Sequence, residues 1–404
     1  MKIIYLHQYF NTPDMSGGTR SYEMARRLVE WGHEVHIVTS WRNITDKEGW
    51  FEETIDGINV HWLPVPYHNA MAFWARMRAF IRFASNAGVR ATSIGGDVVF
   101  ATSTPLTIAL PGALASWLLK IPMVFEVRDL WPDVPIAMGA LKNPLAKMVA
   151  RRLERFAYQR SSHVIALSQG MADGVILTGC PKERVSVIPN SSDLDLFAYN
   201  ATGAKSFRQL HPELGDGPIV LYPGTLGKAN GVAYLVHLAQ KILPHRADVR
   251  FVVIGEGAEA DYIRREAKKC GVAGVNFFQY AAMPKRRLVD AFSAASVVVS
   301  LFVDEPALQA NSANKFFDAL ASGTPVAINY QGWQATLIKE SGAGVSMGAD
   351  PSAAMPILLD ILNSPERLAD CGMKARKLAE QHFSRDYLAR KLETTLKHAV
   401  GEGV

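Results

Sequence analysis

The chain has 404 residues, of which 49% are hydrophobic and 20% are charged, a balance that is typical of folded globular proteins, so we do not expect a disordered chain. This length suffices for two or three domains. The net charge of +5 and the pI of about 9.0 favour a phosphate-bearing ligand, an anionic membrane surface or nucleic acid, without selecting among them.

Cysteine content and apolar runs indicate a cytoplasmic protein. Cys180, Cys270 and Cys371 lack the spacing of a disulfide framework or a zinc site, which indicates a reducing compartment. The apolar run at residues 3–6 is too short for a signal peptide and predicts a first strand. The longest apolar run, residues 106–119, is too short and too interrupted to span a bilayer. Contact with a membrane surface stays open.

Apolar runs rich in Val and Ile alternate with helical patterns in the first half of the chain. Because these runs lack the polar alternation of half-exposed strands, they predict a parallel sheet with helices on both faces. The predicted strands are residues 2–7, 34–39, 58–63, 97–101, 123–127, 163–166 and 185–188, and the predicted helices are residues 19–31, 73–84, 107–119 and 145–160.

The same alternation restarts in the second half, so we predict a second doubly wound α/β domain. Residues 200–217 lack apolar periodicity and predict a boundary loop, whereas residues 365–399 are strongly helical. Two such sheets place a ligand cleft between the domains, outside the carboxyl ends of the strands. The predicted strands are residues 218–222, 249–254, 275–279, 297–301, 325–328 and 344–347, and the predicted helices are residues 232–242, 258–270, 285–295 and 314–321.

A glycine pair follows the first predicted strand. Gly17 and Gly18 let the backbone approach a ligand closely, and the helix start after them offers N–H groups to an anion. Arg20 is a candidate for a forked contact to phosphate or carboxylate. A dinucleotide-binding fingerprint would need a third glycine where Ser21 stands, so nicotinamide or flavin binding is not indicated. A plain tight turn is the alternative.

A charged motif, Glu126-Val-Arg-Asp-Leu-Trp-Pro-Asp133, ends a buried strand. Reacting groups belong at strand ends that face a cleft. Glu126 and Asp129 are candidate general bases, and Arg128 is a candidate for holding one of them ionised. The alternative is a structural Arg–Asp pair that caps the strand.

Two glycine-rich loops lead from strands into helices in the second half. The loop Gly224-Thr-Leu-Gly-Lys228 suits a diphosphate, because its glycines allow close approach and Lys228 adds a charge. The loop Gly255-Glu-Gly257 would let a flat base lie on the backbone, with Tyr280 at the end of the next strand forming another wall. Exposed glycine turns are the alternative for both.

Residues 311–326 join a polar loop to a short helix and a buried strand. Asn311, Ser312, Asn314 and Lys315 crowd the helix start, where unpaired N–H groups favour an anion. Asp318 can share their side of the helix. A cation, free N–H groups and a carboxylate suit a nucleotide or a phosphorylated sugar; a well-capped helix with a solvated lysine is the alternative.

Basic residues alternate with aromatic and apolar ones in residues 71–96 and 142–160. Such helices suit the surface of an anionic membrane. The alternative is two ordinary helices with basic outer faces. We do not expect nucleic acid as a partner, because no nucleic-acid-binding motif is present.

The ordered set of motifs resembles the family 4 glycosyltransferases, which are retaining enzymes with the GT-B fold, and within them the bacterial branch that builds O-antigen and capsule, including amino-sugar transferases of the L-fucosamine type. The motifs are Gly17-Gly18-Thr-Arg20, residues 25–35, Glu126-Val-Arg-Asp-Leu-Trp-Pro132, residues 166–171, residues 188–193, Gly224-Thr-Leu-Gly-Lys-Ala-Asn-Gly231, Ile254-Gly-Glu-Gly257 and residues 314–326.

The resemblance implies two Rossmann-like domains with an interdomain cleft. Residues 1–195 would bind the acceptor, residues 196–384 the nucleotide-sugar donor, and residues 385–404 would return as a helix to the first domain. It implies a UDP-sugar donor, a polyprenyl-diphosphate-linked saccharide acceptor, and no metal or other cofactor. The expected location is the inner face of the cell membrane, as a peripheral protein.

The resemblance also assigns roles by motif. Lys228 and Lys315 would neutralise the diphosphate leaving group, and Asp318 would accept hydrogen bonds from ribose. The predicted catalytic residues are Asp129, Glu126, Arg128 and Lys228. The predicted donor-binding residues are Gly17, Gly18, Arg20, Gly224, Thr225, Lys228, Gly255, Glu256, Gly257, Tyr280, Asn311, Ser312, Asn314, Lys315 and Asp318.

Three positions depart from the family pattern. Many relatives carry two glutamates in the motif that ends at Asp318, and the first of these positions is Ala310, with Glu305 the nearest substitute. Arg128 stands where a histidine usually contacts the donor sugar. Thr225 replaces a usual arginine, which leaves more of the charge to Lys228.

We therefore predict a retaining transferase that moves an N-acetylated amino sugar from a UDP-sugar to a lipid-linked saccharide in surface polysaccharide biosynthesis. A UDP-sugar 2-epimerase is an alternative, since it shares two such domains. A non-catalytic nucleotide-sugar-binding protein is another, because Ala310 removes a carboxylate that the family uses.

Overall fold

The computed structural model describes residues 1–15, 17–43, 45–66, 71 and 73–401. Ser16, which precedes the predicted glycine pair, lies outside the described residues.

The first domain is built on an eight-stranded sheet with the order β3-β4-β2-β1-β5-β6-β7-β8. All neighbouring strands are parallel except β3 and β4, which are antiparallel. Most of the parallel strands are buried on both faces, which is why their sequences lack alternation. The strands are β1 Lys2–Leu6, β2 Glu34–Trp41, β3 Phe51–Ile55, β4 Ile58–Pro64, β5 Val98–Thr102, β6 Met123–Val127, β7 His163–Ala166 and β8 Val185–Val187.

Helices cover both faces of this sheet. They are α1 Arg20–Glu30, α2 Phe73–Ile94, α3 Ala109–Leu119, α4 Asp133–Ala137, α5 Pro144–Arg160 and α6 Gln169–Leu177.

The second domain contains a six-stranded, entirely parallel sheet with the order β11-β10-β9-β12-β13-β14. Its strands are β9 Ile219–Pro223, β10 Arg250–Ile254, β11 Phe277–Tyr280, β12 Val297–Ser300, β13 Val326–Ile328 and β14 Gly344–Ser346. The helices are α7 Ala201–Leu210, α8 Ala233–Ile242, α9 Ala260–Lys269, α10 Lys285–Ala294, α11 Asn314–Ser322, α12 Trp333–Ser341, α13 Pro351–Leu362 and α14 Pro365–Leu378.

The last helix, α15 Arg385–Val400, packs on the first domain. Leu388, Leu392 and Leu396 are buried in the same apolar cluster as residues of β1 and β2. Arg385 is also buried and donates to the Ser191 carbonyl oxygen at 2.7 Å. The C-terminal end of the chain therefore ties the two domains together.

Several elements differ from the predicted ones. Helices α4, α6, α12 and α13 were not predicted, and α2 continues to Ile94, beyond the predicted end at residue 84. The predicted loop at residues 200–217 is wrong over α7, which Asn200 caps through the Gly203 N–H. Strand β3 was not predicted, because it is an edge strand whose central residues are exposed. The helical stretch at residues 365–399 is broken by a π-helical turn, Ala379–Phe383, before Ser384 caps α15.

A buried ion pair fixes the segments of the first domain that reach the cleft. Glu126 Oε1 accepts from Arg20 Nε at 3.0 Å and from Nη2 at 2.8 Å. The same guanidinium donates to the carbonyl oxygens of Ile188 at 3.0 Å and Pro189 at 2.6 Å. Thr102 Oγ1 donates to the other carboxylate oxygen at 2.6 Å. Both charges are thus compensated by protein groups.

We predict that Arg20→Met destabilises the protein by about 3–5 kcal/mol, because it leaves the Glu126 carboxylate buried without its partner. The double variant Arg20→Met/Glu126→Gln should lose less stability than Arg20→Met, since it also removes the unpaired charge. Urea unfolding of the two variants and the wild type measures both effects. A free energy of unfolding unchanged by Arg20→Met would contradict this prediction.

Candidate active site

Two adjoining cavities lie between the domains, at the carboxyl ends of both sheets. The larger has a volume of about 440 Å³ and the smaller of about 280 Å³. Both are lined by Gly18, Phe302, Ala313 and Asn314. They therefore form two compartments of one cleft, the size of which suits a small-molecule ligand in two parts.

Backbone forms much of the wall of the larger cavity. Gly17 and Gly18 line it from the first domain, and Gly224 and Gly255 from the second. A Cβ atom at Gly255 would lie 1.8 Å from the Gly224 carbonyl oxygen, so only glycine lets these two strand ends come together. Thr225, Glu256 and Asn314 also line this cavity.

Lys315 supplies a positive charge to the larger cavity. Its Nζ lies 5.0 Å from the centre of the Tyr222 ring and 5.5 Å from that of Phe302. Within the described part of the chain, no carboxylate forms an ion pair with it. Burial lowers its pKa to about 8. A cation that is desolvated and held only by aromatic faces is prepared to bind an anion.

A carboxylate and a second lysine lie deeper in the same cavity. Asp318 is buried, and its Oδ1 is 3.2 Å from Lys285 Nζ at the start of α10. Burial lowers the pKa of Lys285, against the opposing effect of Asp318. The sequence analysis missed Lys285 as a site residue. Lys285 stands at the start of a predicted helix that follows a predicted strand. This position is the signal that could have indicated Lys285 as a site residue.

The smaller cavity contains the charged end of β6. Arg128 and Asp129 line it together with His7 and Asn11. Arg128 Nη1 lies 3.3 Å from His7 Nε2, and burial, together with the charge of Arg128, lowers the pKa of His7 well below its usual value. His7 is therefore neutral. The Asp129 side chain is exposed to the cleft. Desolvation by the protein atoms around its carboxyl nevertheless raises its pKa to about 6, although the charge of Arg128 acts to lower it.

The loop before α11 lines the smaller cavity and joins the domains. Asn311 and Ser312 both line this cavity. The Asn190 N–H donates to Ser312 Oγ at 3.0 Å, and Ser168 Oγ donates to the Ala310 carbonyl oxygen at 2.6 Å. These two bonds hold the loop of the second domain against the first domain.

The structure contradicts the predicted roles of Arg20 and Glu126. Neither residue lines the cavities, because their side chains satisfy each other inside the first domain. Burial opposes ionisation of Glu126, but the charges of Arg20 and Arg128 outweigh it and lower the pKa of Glu126. This ionised, fully paired carboxylate is not a general base for a ligand in the cleft. Asp129 is the remaining candidate at this strand end.

Four further residues named from the sequence do not line either cavity. Lys228 is exposed on a short 3-10 helix, and Asn230 of the same turn lines the larger cavity instead. The Tyr280 hydroxyl bonds to Glu213 at 2.5 Å. Gly257 packs against the Leu226 backbone, and Glu305 lies in the loop before Ala310.

Two family matches cover most of the chain. Residues 17–191 match the glycosyl transferase 4-like domain, and residues 204–378 match the glycosyl transferases group 1 family. The chain is 27% identical over 300 residues to alpha-maltose-1-phosphate synthase of Mycolicibacterium smegmatis, covering 70% of this chain and 74% of that protein. It is 25% identical over 385 residues to alpha-monoglucosyldiacylglycerol synthase of Streptococcus pneumoniae, covering 90% of this chain and 78% of that protein.

Solved structures share the fold at lower identity. HepE of Anabaena, crystallised with UDP-glucose, has a TM-score of 0.73 at 17% identity over 98% of this chain and 100% of its own. A protein described as a UDP-N-acetylglucosamine 2-epimerase of Listeria monocytogenes has a TM-score of 0.62 at 13% identity, over 100% of this chain and 97% of its own. The predicted fold is confirmed by the two Rossmann-like sheets and these likenesses. Together with the family matches and the named relatives, they show that the chain is an enzyme, a family 4 glycosyltransferase with the GT-B fold.

Proposed function

We propose that this glycosyltransferase moves an N-acetylated amino sugar, with retention of configuration, from a UDP-sugar to a lipid-linked saccharide during surface polysaccharide synthesis. The observation that carries the proposal is Lys315, a desolvated cation without an acidic partner among the described residues, facing the larger cavity. The structural neighbour crystallised with UDP-glucose supports a nucleotide-sugar as the donor.

In this proposal the nucleotide occupies the larger cavity. The N-terminus of α11 and Lys315 bind the diphosphate, and the backbone at Gly224 and Gly255 approaches it closely. Asp318 accepts hydrogen bonds from the ribose hydroxyls, and the ion pair with Lys285 holds its carboxylate in place. The scheme includes no metal or other cofactor, since lysine and helix N–H groups supply the positive charge.

The chemical step exchanges one bond at the anomeric carbon for another. The bond from this carbon to the diphosphate oxygen breaks, and the leaving UDP keeps the electron pair. Lys315 stabilises the charge that develops on that oxygen. An acceptor hydroxyl attacks from the same face, and its proton goes to Asp129 or to the departing phosphate. With a pKa of about 6, Asp129 is mostly ionised at neutral pH and can accept it.

The sugar of the donor occupies the smaller cavity. Besides Arg128 and Asn311, its lining includes several apolar side chains, which suit the methyl of an acetamido group; these are Leu130, Val134, Leu167, Met171, Leu308 and Ala310. Ala310 thus adds an apolar surface where relatives have a carboxylate. Asn311 and Ser312 remain nearby as polar contacts to the sugar.

An exposed apolar face on the first domain supports a membrane-bound acceptor. We define this membrane face as the exposed apolar residues of α2, α3 and α5: Ile81, Val89, Leu110, Leu114, Trp117, Leu118, Leu145, Met148 and Val149. Trp117 is 71% exposed. Exposed basic residues border it, among them Arg78, Arg82, Lys120, Arg151, Arg152 and Arg155. Side chains of Phe73, Trp74 and Arg76, from the predicted basic segment, lie outside the described residues.

Apolar side chains bordered by cations suit the interface of an anionic bilayer, and no described helix is long and apolar enough to cross one. A relative named as a diacylglycerol glycosylating enzyme also supports a lipid acceptor. We therefore place the protein on the inner face of the cell membrane. The 2-epimerase alternative rests on the shared fold alone, and the relatives that support the family are transferases.

We predict that Lys315→Met lowers sugar transfer by about 10–100-fold, because it removes a charged contact to the leaving group. The measurement follows transfer from UDP-N-acetylhexosamines to polyprenyl-diphosphate-linked saccharides by mass spectrometry, with the anomeric configuration of the product read by NMR. Lys339→Met, the same charge change at an exposed site on α12, is the control and should keep full activity. Isomerised UDP-sugar without acceptor, or full activity in Lys315→Met, would reject the proposal.

UDP affinity should decrease as the pH rises through about 8. Below this pH, Lys315 of the free protein is already protonated, so affinity is level. Above it, the free lysine is neutral and binding must take up a proton, so Kd rises by up to about tenfold per pH unit. Titration calorimetry between pH 7 and pH 9 measures the profile. Lys315→Met should give a level profile, and the same rise in that variant would assign the proton to another group.

Trp117→Ser should weaken binding to vesicles that contain phosphatidylglycerol at least about fivefold, because Trp117 anchors the membrane face at the interface. Leu177→Ser is the control, since Leu177 is 87% exposed but lies on α6, outside this face. Co-sedimentation with anionic and with neutral vesicles gives the affinities. Equal losses in both variants, or no preference for anionic vesicles, would count against docking through this face.

A further inference from the structure

Three potential metal ligands converge on the second domain, away from the residues that line the cleft. His237 Nδ1 lies 3.9 Å from Cys270 Sγ, and Cys270 Sγ lies 4.0 Å from Glu266 Oε1. All three atoms lie within 4.8 Å of one another. Among the residues that the structure describes, no other three His, Cys, Asp or Glu side chains meet in this way.

The secondary structure explains why these side chains meet. Glu266 and Cys270 are four residues apart at the end of α9, so they lie on the same face of the helix. His237 belongs to α8, which packs against α9. All three residues are half-buried, so an ion can reach them while the protein shields part of its coordination sphere.

We propose that His237, Glu266 and Cys270 bind a Zn²⁺ ion, with water as the fourth ligand. Tetrahedral zinc holds sulfur at about 2.3 Å and nitrogen or oxygen at about 2.0–2.2 Å, which separates neighbouring ligand atoms by about 3.4–3.6 Å. The separations of Cys270 Sγ from His237 Nδ1 and from Glu266 Oε1, 3.9 and 4.0 Å, need only a small side-chain rotation to reach this range.

The donor set selects the type of metal. One imidazole nitrogen, one thiolate sulfur and one carboxylate oxygen suit Zn²⁺ and its spectroscopic substitute Co²⁺, whereas Mg²⁺ and Ca²⁺ prefer oxygen ligands alone. Binding would deprotonate the Cys270 thiol and release its proton to solvent. Cysteine spacing alone indicated no zinc site, because the histidine comes from a different helix.

Among the described residues, one cation competes for these ligands, and its interaction is weak. Glu266 Oε1 lies 3.4 Å from Lys269 Nζ, and the Lys269 side chain is 77% exposed. An exposed ion pair of this kind contributes at most about 1 kcal/mol, so a divalent ion can displace the lysine. The bound metal would link α8 to α9, the helices that follow the two glycine-rich loops of the cleft.

Metal titration of the purified, metal-free protein tests this site. One equivalent of Co²⁺ should give a thiolate-to-metal absorption band, which Zn²⁺ should remove by displacing the cobalt. At a free Zn²⁺ concentration 100 times Kd, Tm should rise by about 3 °C. No thiolate band at one equivalent of Co²⁺, or binding at millimolar metal only, would overturn the proposal.

Matched variants separate this site from adventitious binding. Cys270→Ser should abolish the thiolate band, and His237→Gln should weaken Zn²⁺ binding at least about tenfold. If a cysteine or histidine variant does not fold, Zn²⁺ binding is measured instead in Glu266→Gln, whose side chain keeps its shape. His245→Ala, an exposed histidine shortly after α8, is the control and should bind as the wild type does. Equal Zn²⁺ affinity in Cys270→Ser and the wild type would also overturn the proposal.

Discussion

The buried pair between Arg20 and Glu126 is the interaction on which the cleft depends. Arg20 follows Gly18 by two residues, and Glu126 precedes Arg128 by two. The guanidinium also holds the carbonyl oxygens that precede Asn190, and Asn190 bonds to Ser312 of the second domain. Since a buried charge is tolerated only when its partners are in place, this pair fixes the glycine pair, the charged strand end and the interdomain contact at once.

Arg20 and Lys315 show opposite uses of a cation that the protein desolvates. Both stand near a helix start after a loop, and the sequence favoured an anionic ligand for both. Arg20 is neutralised by Glu126 inside the first domain, where no ligand reaches it. Lys315 faces two aromatic rings, forms no ion pair among the described residues, and loses solvation without gaining a counter-charge. The folded protein thus leaves a desolvation cost at Lys315 that an incoming diphosphate would relieve.

The fold was largely predictable because buried parallel strands such as β9 are short, continuous apolar runs. β3 was not predicted, because an exposed edge strand carries charges. α7 was not predicted, because only Gly203 and Phe207 are buried in it. In the site, the glycine loops, Lys315 and Asp318 were predictable from their places after strands. Two ion pairs were not predictable: Arg20 with Glu126, 106 residues away, and Asp318 with Lys285. Nothing in the local sequence specifies which charges meet across a fold.

The two domains divide the proposed reaction between membrane and solution. The membrane face lies on the first domain, and its helix α3 connects β5 to β6, the strand that ends at Arg128 and Asp129. An acceptor held at that face would therefore approach the smaller cavity from the domain that carries the candidate base. Lys315 and Asp318 belong to the second domain, where a donor from solution would bind. The bonds from Asn190 to Ser312 and from Ser168 to Ala310 join the two domains beside the smaller cavity, where the transferred sugar would lie in the proposed reaction.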